Sequence, residues 1–436
     1  MTTSRHITSS RLGRLSLLGK LAGGVVGGAV KEGARQLAQG QRPSIEKLLL
    51  TPANAHRLSE RLSEMRGAAM KVGQLLSMDS GQILPPEMSE ILAKLRQSAH
   101  HMPSTQVSQV LQTAWGKDWQ RRLTRFDARP IAAASIGQVH SALLENDQPV
   151  AIKVQYPGIR RSIDSDVDNV ASLLRLFNLI PDDVDITQVL NEAKRQLHVE
   201  ADYLKEAEAL DRFTRFVASD QRFELPEVVE ALTTAEVLTM TYMAGAPIES
   251  LADQPVRQRN SVATAVLELA LREVFQWGFV QTDPNFANYR YQVETGKIQL
   301  LDFGATRDYS EQQAAGLWTL LQACREGADV DIENAAASVG YLDESDPAGY
   351  RQGIVSLLRD ASEPARAQGN YNFGRSDLAD RMRDKLIHMR LHEKFWRLPP
   401  IGILFLHRKL GGMYMLLNRL RASVAVPELL SRLDHS

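Results

Sequence analysis

A single cysteine, Cys324, stands among 436 residues. That excludes an intramolecular disulfide framework and any Cys-x-x-Cys metal or redox site, and it fits a reducing compartment; the lone thiol reads as a core residue. Net charge is nearly absent too: 51 Lys and Arg against 52 Asp and Glu leave −1, so no global field draws in nucleic acid and no nucleic-acid partner is expected. Long apolar runs are missing. The two nearest to one, residues 15–30 and 401–420, are interrupted by Lys20 and by His407-Arg408-Lys409, and both fall short of the ~20 apolar residues of a spanning helix. No internal repeat or low-complexity tract occurs. What is present, 44% hydrophobic and 24% charged residues, is the composition of a globular chain with two or three cores.

The chain opens with Arg5, Arg11, Arg14 and Lys20 and meets its first acid at Glu32. Such a Ser/Arg-rich start reads as a transit peptide, a membrane-surface helix or a plain basic arm. Gly19, Gly23 and Gly27, echoed by Gly24 and Gly28, have the spacing that lets helices approach closely in a bilayer. Membrane or partner contact and a functionless terminus both remain open. A proline-punctuated helical region follows, its residues 56–78 showing apolar positions at three- and four-residue steps. The texture then turns to strand: 137–144 and 150–154 flank the turn-like Glu145-Asn146-Asp147-Gln148 and predict a β-hairpin. One long helix is expected over 187–217, a strand over 236–243, and short strands over 288–293 and 297–301, with helix nearly everywhere else beyond Pro247. The expected divisions are 1–50, basic and glycine-bearing; 51–128, a helical extension; 129–245, a mixed lobe; and 246–436, a mainly helical lobe.

Four short motifs fall in a telling order. Val150-Ala151-Ile152-Lys153 puts a lysine on the second hairpin strand, where it would reach the α- and β-phosphates of a nucleotide. On the long helix, Asp202 and Glu206 lie one turn apart, like charges that cost about 0.2–0.5 kcal/mol unless a cation is near; Glu206 is the candidate partner of Lys153. Glu200, six positions before it on a continuous helix, points about 120° away and is free to meet another cation, although the choice between the two acids stays open. In Gln281-Thr282-Asp283-Pro284-Asn285-Phe286-Ala287-Asn288, an Asp precedes an Asn by five residues, as in kinase catalytic loops, where the Asp accepts the proton of the attacking hydroxyl and the Asn holds magnesium. Asp302-Phe303-Gly304 supplies a second magnesium ligand, Asp302, and a glycine where the backbone turns. Each alone has a bland reading: a solvated strand lysine, a solvated acidic face, an Asp-Pro-Asn turn, a chance tripeptide. Their order predicts an α+β, two-lobed protein-kinase-like fold.

Three further segments make the chain resemble the UbiB family of atypical kinase-like proteins. Lys71-Val72-Gly73-Gln74 is similar to its KxGQ motif, the run Ala132-Ala133-Ala134-Ser135-Ile136-Gly137-Gln138-Val139-His140 to its alanine-rich nucleotide loop, and Glu200-Ala201-Asp202 to its ExD motif. Leu398-Pro399-Pro400 and His407-Arg408-Lys409-Leu410-Gly411-Gly412 resemble its C-terminal end. The resemblance implies ATP or ADP with Mg2+, and an N-terminal helical extension packed over the nucleotide cleft. It further implies that Ala132, Ala133, Ala134 and Ser135 bind nucleotide, that Lys71 pairs with Glu200, and that Lys71, Gln74, Glu200 and Asp202 are regulatory. It also implies a role in ubiquinone or other isoprenoid-lipid metabolism. A lipid or quinone precursor would be the small-molecule partner and enzymes of lipid biosynthesis possible neighbours. The expected place is peripheral to a membrane, on the cytoplasmic side or on the matrix side of the mitochondrial inner membrane.

The departures from protein kinases matter as much. No Gly-x-Gly-x-x-Gly occurs, and each Cβ of the alanine loop hinders close approach of backbone amides to phosphate. Gln281-Thr282 replace the His-Arg pair before the catalytic Asp, and no Ala-Pro-Glu follows Asp302, so activation-loop switching and docking of protein substrates lose their usual parts. An ATPase or small-molecule kinase is the first expectation; a catalytically silent nucleotide-binding scaffold and a protein kinase are the alternatives.

Overall fold

A computed structural model describes residues 58, 62–63, 65–78, 101–177, 186–391 and 399–433. The basic segment 1–50 with its proposed membrane contact, all of 79–100 and Leu398 lie outside the described residues. Those described fall into two compact units. The first takes the residues through Ala207, apart from Met78, together with Glu227–Tyr242; the second takes Met78, Glu208–Pro226 and all from Met243 onward.

The chain begins with helices α1 (Arg66–Met78) and α2 (Ser104–Trp115). Strands β1 (Leu123–Phe126), β2 (Ala132–Ala133), β3 (Gly137–Leu144) and β4 (Pro149–Gln155) follow. Helices α3 (Ile159–Leu176), α4 (Thr187–Glu200) and α5 (Tyr203–Val217) come next, then β5 (Phe223–Glu224) and β6 (Val237–Thr241). In the first unit the strands form one antiparallel sheet in the order β1-β3-β4-β6, with β2 also on β3. The β3–β4 hairpin closes at Asp147, whose positive φ of 61° suits an Asp in a tight turn. Val150, Ile152 and Val154 alternate inward along β4 and are fully buried against Val107, Val110, Leu111, Trp115 and Trp119. Each such side chain contributes about 1.5–3 kcal/mol by leaving water. Gly137 opens β3 because a Cβ there would lie 2.4 Å from the Val154 carbonyl oxygen.

The single helix expected over 187–217 is two. α4 ends at Glu200 and α5 starts at Tyr203. Tertiary bonds break the run: Tyr203 N–H donates to Ala235 O at 3.1 Å, and Gln155 Nε2 donates to Ala201 O at 3.0 Å. Those backbone groups are thus spent on Ala235, ahead of β6, and on Gln155 of β4, and Asp202 Oδ1 accepts from Leu204 N–H at 3.3 Å as a helix-starting residue does. The 120° argument that separated Glu200 from Glu206 therefore does not apply, since the two acids belong to different helices.

In the second unit, β7 (Ala246–Pro247) precedes α6 (Val256–Phe275). Then come β8 (Phe279–Gln281), β9 (Tyr289–Gln292), β10 (Lys297–Leu300) and β11 (Thr306–Asp308). Strand order is β5-β10-β9-β7 in one sheet, and β8 pairs with β11 in a ladder that sets Gln281 opposite Thr306. Helices α7 (Glu311–Glu326), α8 (Asp329–Ser338) and α9 (Ala348–Ala361) follow. The chain closes with β12 (Tyr371–Asn372), α10 (Leu378–Leu391), α11 (Ile401–Arg419), β13 (Ser423–Val424) and α12 (Val426–Leu433). α7 starts on a full capping box, Ser310 with Gln313. Cys324 sits in the core among α7, α8 and α9, where burial pushes its thiol up to about 11, an inert position for a cysteine. No helix among the described residues is long and apolar enough to cross a membrane.

Candidate active site

In the first unit, β4 is a central strand, so Lys153 leaves it between Val139 of β3 and Leu238 of β6. Its ammonium donates to both oxygens of Glu206, at 2.9 and 2.8 Å. The lysine is 7% exposed and the glutamate 4%, and the ammonium lies 5.2 Å from the centre of the Tyr203 ring. Withdrawing two charges from water costs several kcal/mol per ion before their attraction repays it, so a pair so placed is a candidate for function as much as for stability.

A second group of contacts joins α1, the alanine loop and the end of α4. Lys71 pairs with Glu200, and Ser135 Oγ donates to the other Glu200 oxygen at 3.0 Å. α1 reaches the loop at Gly67, where a Cβ would stand 3.0 Å from Ile136 Cγ2. Gln74 lies on the same helix, half-buried. Asp202 goes elsewhere: besides starting α5 it pairs with the exposed Arg160 at 3.5 Å. Of the Glu-Ala-Asp motif, then, Glu200 meets Lys71 and Asp202 does not. In the alanine loop, Ala132 and Ala133 are exposed, while Ala134 N–H is spent on Gly137 O at 2.9 Å. Beyond it, Gln138 and His140 are fully buried and bonded to each other at 2.8 Å. His140 Nδ1 meets Asp127 O at 2.9 Å, and burial, offset in part by that carbonyl, lowers the histidine's pKa.

The second unit gathers the other motifs. Asn288 Nδ2 donates to Asp283 O at 3.2 Å and lies 3.5 Å from Asp283 Oδ2, so the loop closes on itself. Asn285 Oδ1 accepts from Ala287 N–H at 3.1 Å, the Asx turn that Asp-Pro-Asn favours. Gln281 Nε2 ties the motifs together by donating to Asp283 O at 2.8 Å and Asp302 O at 3.2 Å. Asp302 Oδ1 accepts from Gly304 N–H at 2.9 Å, and Phe303 is buried against Phe213, ring centres 4.7 Å apart.

Three residues that carried no assigned role prove central to this arrangement. Arg408 of α11 bonds Asp283 Oδ1. Lys409, its neighbour, bonds Glu273 of α6 at 2.8 Å, and Glu273 in turn accepts Gln281 N–H at 2.8 Å. Lys409 and Glu273 are fully buried; burial alone would discharge the ammonium, but Glu273 and Tyr289 outweigh it and raise the lysine's pKa. The signal was present in His407-Arg408-Lys409, which interrupts an apolar helix and therefore asks for partners.

No cluster of three or more His, Cys, Asp or Glu side chains fit to hold a metal occurs among the described residues. Asp302 and Asn288 offer a carboxylate and an amide oxygen, hard donors of the kind magnesium takes alongside water and phosphate oxygens. That donor set fits the ion.

These parts define a protein-kinase-like chain: a strand lysine held by a helix glutamate, an Asp-x4-Asn loop, and Asp-Phe-Gly after a strand. The ABC1 atypical kinase-like domain matches residues 94–335, and the chain belongs to this family. It is 36% identical to the mitochondrial atypical kinase COQ8 of Saccharomyces cerevisiae over 97% of this chain and 84% of that one. With mitochondrial COQ8B of Rattus norvegicus the identity is 35%, over 99% and 82%. Among solved structures, Rv3197 of Mycobacterium tuberculosis, in complex with erythromycin, shares the fold with a TM-score of 0.60 at 24% identity, covering 87% of this chain and 95% of that one. The kinase-like fold and the family expected from the motifs are thus both found.

Proposed function

We propose that the chain binds ATP with magnesium and catalyses phosphoryl transfer to water or to a small molecule, in support of ubiquinone or other isoprenoid-lipid metabolism at a membrane surface. The observation that carries this reading is the buried Lys153–Glu206 pair, because a lysine so oriented is the group that holds the α- and β-phosphates. Ala132, Ala133, Ala134 and Ser135 line the phosphates. Asn288 and Asp302 would hold magnesium, which when bound would supply charge neutralisation to the phosphate oxygens. Asp283 orients the attacking oxygen and takes its proton as the new P–O bond forms and the bond to the leaving diphosphate oxygen breaks. Lys71 with Glu200, and Gln74 and Asp202 beside them in sequence, regulate access to that chemistry. The mitochondrial setting is taken from the relatives' names, and the lipid pathway and membrane surface from the family resemblance; the chain's own chemistry speaks only to the nucleotide.

The test is magnesium-dependent phosphate release from ATP, with and without liposomes, for the wild type and Asp302→Asn. Release that rises with liposomes and falls by about 10²–10³-fold in the variant, the loss expected when a group stabilising transition-state charge is removed, supports the reading. Nucleotide binding without release in the wild type overturns it in favour of a silent scaffold.

A further inference from the structure

The helix α11 meets the loop 281–288 directly at two positions and, through Glu273, at a third. Arg408 reaches Asp283 Oδ1. Lys409 reaches Glu273, which accepts Gln281 N–H at the head of the loop. Gly412 lies one turn after Arg408 and so on the same helix face; a Cβ there would stand 2.2 Å from Pro284 Cβ, whereas one at Gly411 would meet nothing within 4 Å. Only the second glycine of the pair is demanded by close approach. The direct contacts fall on Asp283 and Pro284, adjacent residues of the loop.

The Arg408 and Asp283 side chains are 14% and 26% exposed. A charge-assisted bond partly withdrawn from water is stronger and more directional than a surface pair. With Arg408 on one carboxylate oxygen and Asn288 Nδ2 3.5 Å from the other, the plane of the Asp283 carboxylate is fixed from both sides. Arg408 also lies outside the segment matched by the family domain, 94–335.

We propose that Arg408 is a positioning residue for Asp283, and that α11, through Arg408, Lys409 and Gly412, is the template on which the loop 281–288 is set. The role rests on the reading of Asp283 given under the proposed function. Misplacing a reacting group by an ångström costs on the order of 10²-fold in rate, and that is the effect expected of losing the guanidinium.

The experiment uses the full chain with Arg408→Gln, Arg408→Lys, Gly412→Ala and, as a control, Gly411→Ala. Steady-state phosphate release gives kcat and KM for ATP, and hydrogen exchange by mass spectrometry follows the peptide spanning 281–288. Arg408→Gln is expected to lower kcat by about 10²-fold with KM nearly unchanged, and Arg408→Lys to recover part of it. Exchange in 281–288 is expected to rise in Arg408→Gln and Gly412→Ala and to stay at the wild-type level in Gly411→Ala. An active wild type with unchanged kcat in Arg408→Gln, or unaltered loop exchange in both Arg408→Gln and Gly412→Ala, overturns the proposal. If the wild type releases no phosphate, the phosphoryl-transfer reading falls and loop exchange alone decides the positioning role. If Arg408→Gln loosens α6 and α11 throughout, Arg408→Lys becomes the probe: reduced kcat at constant KM supports the role, and unchanged kcat refutes it.

Discussion

Lys409–Glu273 of the second unit and Lys153–Glu206 of the first are both buried lysine–glutamate pairs, and they differ in what surrounds them. Lys409 and Glu273 have side chains 1% exposed, and the glutamate takes a backbone N–H from Gln281 as well. Lys153 and Glu206, at 9% and 3%, stand on the edge of accessibility, with the lysine over an aromatic ring. The first pair also takes up a backbone N–H of the loop 281–288; the second has a ring beside its cation, and under the proposed function that cation is the one that meets the nucleotide. Burial of an ion pair is thus no guide to its role until the remaining neighbours are counted.

The comparison can be broken by removing each lysine. Lys409→Met strands Glu273 in the core and is expected to cost about 3–5 kcal/mol in urea unfolding. Lys409→Met combined with Glu273→Leu should recover much of that, because a buried pair replaced by apolar groups is often neutral; a double variant no more stable than the single would sink the idea of a closed structural pair. Lys153→Met should instead show its main effect in turnover, about 10²–10³-fold in phosphate release, on top of the loss of stability that stranding the buried Glu206 carboxylate brings.

The glycine pair of α11 sharpens the same contrast on the second unit. Gly412→Ala should destabilise by about 1–3 kcal/mol through overpacking on Pro284, while Gly411→Ala should be neutral or gain up to about 1 kcal/mol of helix propensity, both read by thermal unfolding.

For the first unit, His140 supplies a pH prediction. Its folded pKa lies below the unfolded value near 6.5 because burial disfavours the cation. The unfolded chain then binds the extra proton first, so stability is full above pH 6.5 and declines as pH falls toward the folded pKa. Unfolding followed from pH 7 to 5 should show this slope, and His140→Gln should flatten it. The smallest effect belongs to the exposed Arg160–Asp202 pair: Arg160→Ala should change stability by about 0.2–1 kcal/mol, less in high salt.

The hairpin of β3 and β4 was legible because apolar, β-prone runs flank a polar turn, and both signals are local. Lys153, Asp283, Asn288 and Asp302 stand out as candidates for the same reason, being carried by short motifs in order. The break between α4 and α5 was not. Residues 200–206 have ample helix propensity, and only the demands of Ala235 and Gln155, distant in sequence, interrupt them. Glu206 was therefore paired with Lys153 on a helical-wheel argument that the structure does not support, although the contact itself is there. Arg408 was missed for a related reason, its partner lying 125 residues away.

That break also gives the two glutamates opposite electrical settings. Glu206 falls in the first turn of α5, where the helix macrodipole presents its positive end and welcomes a carboxylate. Glu200 is the last residue of α4, at the negative end of its own macrodipole, where an anion is disfavoured by about 0.3–1 kcal/mol. The contact from Lys71 thus answers two negative sources at once, the carboxylate and the helix end behind it. Moving α1 away would leave Glu200 facing a field that repels it, whereas the field at Glu206 comes from its own helix and would stay favourable. The helix end favours one acid and disfavours the other, so Glu200 leans on the cation of a separate helix and on the Ser135 hydroxyl to offset a field that Glu206 never meets.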